Sequence, residues 1–230
     1  RAKDLIDSYS KISFEDLKKI KFDRQLPKQI LYPYGYSSDS LFMVDESKYP
    51  ALAPLITSLK NWDHVTNPDS KGALVYNLAY SQISKAMKGN AQNTLTLEQG
   101  VDVFQHIYDY LMKNFGTIDL VLGDVQKLVR GKKEWPQGGM PDVLSAVMSK
   151  NHENGKKRMV SGDAYIGFVK FPKDGSLPII ETVNTFGASS NPDSPHFADQ
   201  RALYQAQKTK TMTLDKAQVL KTAEKIYNPK

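Results

Sequence analysis

Apolar residues recur at helical spacing through most of the chain and switch to strict alternation near residue 164. Residues 1–26 read as helix, turn, helix. Ser13-Phe14-Glu15-Asp16 supplies an N-cap and an acidic first turn, and Phe14, Leu17 and Ile20 share a face. Residues 27–50 carry Pro27, Pro33 and Pro50 with the aromatic group Tyr32, Tyr34, Tyr36 and Phe42, and read as irregular chain. A helix follows from Pro50 to Lys60. A longer one runs from Gly72 to Met87, with Leu74, Leu78, Tyr80, Ile83 and Met87 as its stripe. Thr96-Leu97-Glu98-Gln99 opens another, carrying Val101, Phe104, Ile107, Tyr108, Leu111 and Met112. The pattern predicts a further helix over 118–130, a loop over 131–141 and a short helix or turn over 142–148.

Ala164–Phe171 and Ile179–Phe186 read as two strands joined by the turn sequence Pro172-Lys173-Asp174-Gly175. Tyr165, Val169 and Phe171 point one way; Ala164, Ile166 and Phe168 point the other. Both faces are apolar, so the hairpin calls for cover on both sides, and two strands alone are marginal in water. A larger sheet is therefore expected. A last helix is expected over Asp215–Tyr227. The fold class is α+β, with a mainly helical region over 1–160 and a hairpin with its C-terminal tail over 161–230.

At 40% hydrophobic residues the chain can build a core, and no apolar run approaches the roughly 20 residues of a membrane span. The net charge of +6 comes from short, scattered groups such as Lys18, Lys19 and Lys21, or Lys156, Lys157 and Arg158. No helix carries the basic stripe that a nucleic-acid site needs, so these charges read as solvated faces. The absence of cysteine excludes disulfides, cysteine nucleophiles and thiolate metal sites. The chain opens on Arg1, not Met, so a preceding segment is expected to have been removed.

Ser194, His196 and Asp199 invite a triad. Ser194 and His196 flank Pro195, however, and no strand–elbow–helix pattern surrounds the serine. The expected role is structural: Ser194 and Asp199 satisfying backbone groups in a tight turn, and His196 anchoring that turn against the helical layer. His64, His106 and His152 are far apart in sequence and lack metal-ligand spacing. Gly138-Gly139 lacks the rest of a phosphate loop and reads as a turn with positive φ. Asp63 is read at a helix terminus and Asp69 as an N-cap. The tyrosine cluster is read as packing against a neighbouring domain, with an acyl pocket as the alternative. No catalytic, cofactor-binding or metal-binding residue is assigned to this chain.

Gly187-Ala188-Ser189, followed by Ser194-Pro195-His196-Phe197-Ala198-Asp199-Gln200, resembles the C-terminal signature of the penicillin amidase family of N-terminal-nucleophile hydrolases. Further segments resemble the same family in the same order. These are Ser13–Asp16 with Lys21–Asp23, Leu59–Asp63 with Ser70–Ala73, Gly123–Gly131, Glu134–Gly139 with Pro141–Leu144, and Gly162–Tyr165.

The resemblance implies a four-layer αββα sandwich, incomplete in this chain, to which 161–230 contributes strands. It also implies a precursor that cuts itself into an α chain and a β chain. The new N-terminal serine attacks an amide carbonyl with its own amino group as base, and an oxyanion hole stabilises the intermediate. That serine lies outside this chain, which would be the C-terminal part of the β chain and inactive by itself. The expected partners are the rest of the β chain, the α chain and a small N-acyl substrate of β-lactam or acyl-homoserine lactone type, with no nucleic acid, membrane or cofactor. Location in the bacterial periplasm or outside the cell, and a link to antibiotic metabolism, are family expectations. The alternative is a non-catalytic binding or assembly module on the same fold.

Overall fold

The computed structural model describes residues 1–27, 31–32, 36–86, 94–223 and 225–226, with the backbone alone at 31, 32, 36 and 84. Mixed helices and strands give an α+β fold with two compact units. One holds Arg1–Ser10 and Ile20–Gly162; the other holds Lys11–Lys19 and Asp163–Lys230. The helices are α1 (Ala2–Asp7), α2 (Phe14–Lys21), α3 (Ser40–Met43), α4 (Ala53–Lys60), α5 (Lys71–Ala86), α6 (Leu97–Phe115), α7 (Leu122–Val125), α8 (Arg201–Gln205) and α9 (Lys216–Thr222). The strands are β1 (Leu31–Tyr32), β2 (Tyr36–Ser37), β3 (Gln126–Arg130), β4 (Lys133–Pro136), β5 (Val147–Asn151), β6 (Lys157–Gly162), β7 (Tyr165–Lys170), β8 (Ile179–Asn184) and β9 (Lys210–Met212).

The core of the first unit is built from the helical stripes. Leu55, Ile56 and Leu59 of α4 pack in one buried cluster with Leu74, Tyr76, Leu78 and Ile83 of α5 and Val103, Phe104, Ile107 and Leu111 of α6. α6 forms where its ends are closed. Thr96 Oγ1 accepts from the Gln99 N–H at 3.1 Å, while Gln99 Oε1 accepts from the Thr96 N–H at 2.9 Å. Gly116, at φ 70°, closes the other end by donating to the Met112 carbonyl at 3.0 Å. For α5 the cap is Ser70, whose hydroxyl accepts from the Ala73 N–H at 3.1 Å, not Asp69. Asp63 accepts from the Val65 N–H at 2.9 Å in a turn just past α4.

A four-stranded sheet, in the order β4-β3-β6-β5, replaces the helix, loop and turn expected between 118 and 148 and continues through β6, for which the sequence suggested no element. β3 is antiparallel to β4 and parallel to β6, and β5 is antiparallel to β6 with an irregularity at Met148/Ser149. The expected helix over 118–130 stops after the single turn of α7. There Asp124 accepts from the Val121 N–H at 2.9 Å, and the chain then extends. Gln126 and Leu128 are buried on one side of β3, with Lys127 and Val129 less so on the other, which is a period of two. β6 escaped detection because Lys157, Arg158, Ser161 and Gly162 leave it without an apolar alternation.

The second unit is a three-stranded antiparallel sheet in the order β7-β8-β9. Ile166 and Phe168 of β7 are buried, as the alternation requires. Phe14 of α2 meets Phe168 edge to face, with centroids 6.3 Å apart and planes at 83°. Lys18 sits 5.2 Å over the Phe14 ring and bridges Glu15 at 2.7 Å and Glu181 of β8 at 3.0 Å. Leu17, expected on the apolar face, is exposed instead. On the other sheet face the outer strands keep apolar side chains in the open, Tyr165, Val169, Phe171 and, from β9, Met212 being 58%, 45%, 76% and 41% exposed, while Ile180 of the central strand, paired with Val169 and Met212, is buried. The hairpin turn is closed by Gly175 at φ 75° and by Asp174, which accepts from the Ser176 N–H at 3.0 Å.

Candidate functional site

The segment 187–200 leaves the end of β8 and folds back on it. Gln200, 3% exposed, accepts from the Asn184 N–H through Oε1 at 3.0 Å and donates its own N–H to the Phe186 carbonyl at 2.8 Å. The side chain thereby satisfies backbone groups at the point where the ladder ends. Thr185 reinforces the same end by donating its hydroxyl to the Asp163 carbonyl. The Ser189 N–H donates to the His196 carbonyl at 3.1 Å, which closes the loop on itself. Gly187 is required at this closure. A Cβ there would lie 2.2 Å from the His196 carbonyl oxygen and 2.4 Å from Asp199 Oδ1.

Ser194, His196 and Asp199 come together in one turn. Ser194 caps the 3₁₀ turn Pro195–Phe197, its Oγ accepting from the His196 N–H at 3.1 Å. His196 Nδ1 lies 2.9 Å from Asp199 Oδ2, in a pair whose side chains are 42% and 36% exposed. The hydroxyl is engaged by backbone and the carboxylate by the ring of its own turn, so the expected backbone role holds for Ser194 while Asp199 serves the imidazole. Chemically the arrangement locks a turn at the end of β8.

The other histidines sit in three different settings. His64, at φ 64°, places its ring 5.3 Å from Trp62 and 5.7 Å from Phe42. His106 donates Nδ1–H to the Asp102 carbonyl at 2.8 Å. His152 Nε2 is 3.2 Å from Glu134 Oε1, and Lys156 holds the other oxygen at 2.5 Å. The Lys156 contact keeps the Glu134 carboxyl below the ordinary glutamate range. No group of three metal-binding side chains occurs among the described residues. Of the aromatic cluster, Phe42 packs against the core of the first unit; the side chains of Tyr32, Tyr34 and Tyr36 lie outside the described residues.

Gly139 takes φ 89°, as its turn demands, and its N–H donates to the Thr66 carbonyl at 2.8 Å. Sequence reading missed the residue that holds this turn. Gln126, 1% exposed, donates to the carbonyls of Gln137 at 3.1 Å and Gly139 at 2.8 Å. Its Oε1 accepts from Ser149 at 3.0 Å and Asn77 at 3.3 Å. A glutamine among apolar residues in a buried strand was the available signal.

Comparison with known proteins follows the same lines. A family profile described as penicillin amidase matches residues 1–221. Acyl-homoserine lactone acylase PvdQ of Pseudomonas fluorescens is 32% identical over 104 residues, which is 44% of this chain and 13% of that protein. The protein of that name from Pseudomonas syringae pv. tomato is 26% identical over 223 residues, 85% of this chain and 28% of that protein. The chain thus spans less than a third of these curated relatives. A thermostable penicillin G acylase from Alcaligenes faecalis aligns with 94% of this chain and 46% of its own at 13% identity. Its TM-score of 0.36 is too low to carry an argument.

Proposed function

The chain belongs to the penicillin amidase family, a family of amide hydrolases, and from that premise we propose that it is the C-terminal segment of an acylase. The complete protein hydrolyses the amide of an N-acylated small molecule, of the acyl-homoserine lactone or β-lactam kind. The nucleophile is an N-terminal serine carried on a part of the protein outside these 230 residues. Residues 161–230 contribute sheet strands to the catalytic sandwich, and 1–160 act as scaffold. Activity requires the rest of the β chain and the α chain, and export to the periplasm goes with this reading. The observation that carries the proposal is the family match over 1–221 in a chain spanning 28% of a relative's length. The exposed apolar face of β7 and β9 supports it, since such a face calls for a second layer.

The test compares this chain with the complete polypeptide that contains it, using release of free amine from an N-acyl-homoserine lactone and from penicillin G. Turnover by the complete protein and none by the chain alone is the expected result. Turnover by the chain alone, abolished by Ser194→Ala, would overturn the proposal.

A further inference from the structure

A cleft of about 690 Å³ opens between α5, α6 and the β5–β6 pair, wholly within the first unit. It is unrelated to the 187–200 loop. Its floor is apolar: Ile107 is 2% exposed, and the Tyr110 ring stands beside it with its hydroxyl donated to the Gly155 carbonyl. Its rim is cationic. Lys85, Lys150 and Lys157 all line it, together with His106, and no aspartate or glutamate is among the described residues that line it.

Lys157 is the informative member. It is half-buried at the start of β6, and among the described residues no side chain or carbonyl meets its ammonium group as an ion-pair or hydrogen-bond partner. A desolvated ammonium without a counter-charge is unfavourable, and burial pulls its pKa below the ordinary lysine value. Lys156 and Arg1, also half-buried in this unit, are paired with Glu134 and Asp23, while Lys127 resembles Lys157 in lacking an ion pair among the described residues but has Asp124 and Glu134 as nearby carboxylates. His106 has committed Nδ1 to the Asp102 carbonyl, which leaves Nε2 for a ligand.

We propose that this cleft is a binding site for a small organic dianion, with its negative groups held by Lys157, Lys150 and Lys85 and its carbon skeleton laid over Ile107 and Tyr110. Three ammonium groups around one cavity ask for more than a single negative charge, and the apolar floor asks for a hydrocarbon body. The site is independent of amide hydrolysis and takes a ligand from solution.

Adipate and glycerol 3-phosphate are the probes, titrated calorimetrically into the complete protein that contains this chain, with 1,6-hexanediol as the uncharged control. Saturable binding of either anion and none of the diol is expected, and the tighter anion names the head group. Lys157→Met should weaken binding about 10- to 100-fold, the loss of one charged hydrogen bond. Its melting temperature without ligand should equal or exceed that of the parent, because an unpaired buried charge is gone. Should that variant not fold, the double variant Lys85→Gln/Lys150→Gln, at exposed positions, should weaken binding with the fold intact. No binding of either anion, equal binding of the diol, or parental affinity in the lysine variants would overturn the proposal.

Discussion

The side-chain amide of Gln126 donates to the carbonyl oxygen of Gly139 at 2.8 Å, from a strand to a turn 13 residues later. The same side chain reaches Gln137, Ser149 and Asn77, so a single buried glutamine ties β3 to β5, α5 and the 137–139 turn. Gln126→Leu leaves those carbonyls without a donor in a dry environment. The expected loss is roughly 3 kcal/mol, seen as a lowered urea midpoint. An unchanged midpoint would mean the turn holds itself.

Gly187→Ala is expected to spring the 187–200 loop, because the backbone oxygen of His196 stands where the new methyl group must go. Overpacking of this kind costs about 1–3 kcal/mol. Hydrogen exchange should quicken at Ser189 and Gln200 while β3 and β6 keep their protection. Uniform protection across the loop would show that the carbonyl moves aside freely.

Thr96→Ala removes the oxygen that receives the Gln99 N–H and opens one side of a reciprocal cap. A loss of about 1 kcal/mol is expected, read from the thermal midpoint. Thr96→Ser should restore most of it.

Glu181 gives the second unit an acid sensitivity. The Thr209 hydroxyl, and then Lys18, hold its carboxyl below the ordinary glutamate range. A carboxylate with a depressed native pKa adds stability above its unfolded pKa, about 4.3. That contribution fades as pH falls through the lower native value. Glu181→Gln should therefore flatten the decline in stability of this unit below about pH 4.3 and lower its stability at neutral pH. Parallel pH profiles for parent and variant would remove Glu181 from the account.

What was legible in the chain was local. The Thr96–Gln99 box lies within four residues, and the β7–β8 hairpin announces itself by alternation and by the turn at Asp174-Gly175. The Ser194 cap was likewise readable from Ser-Pro-His. The β4-β3-β6-β5 sheet was hidden because its determinants are distant or polar. Gln126 is fixed by partners 11, 13, 23 and 49 residues away, and Lys157–Gly162 offers little apolar pattern. Ser70 displaced Asp69 as a cap by one position, within the ordinary uncertainty of a helix start. The cleft beside Lys157 gathers residues from two helices and two strands, and no window along the chain contains it.

The pairing of Lys18 with Glu181 spans 163 residues, so the second unit is closed by a helix made that far ahead of the strand it meets. Ribosomes add about 5–20 residues per second. Lys18 thus waits roughly 8–33 s before Glu181 has been synthesised. Throughout that interval the Phe14 ring lacks Phe168, and Lys18 has Glu15 but not Glu181. The three-stranded sheet therefore cannot close on α2 until β7, β8 and β9 have all left the ribosome.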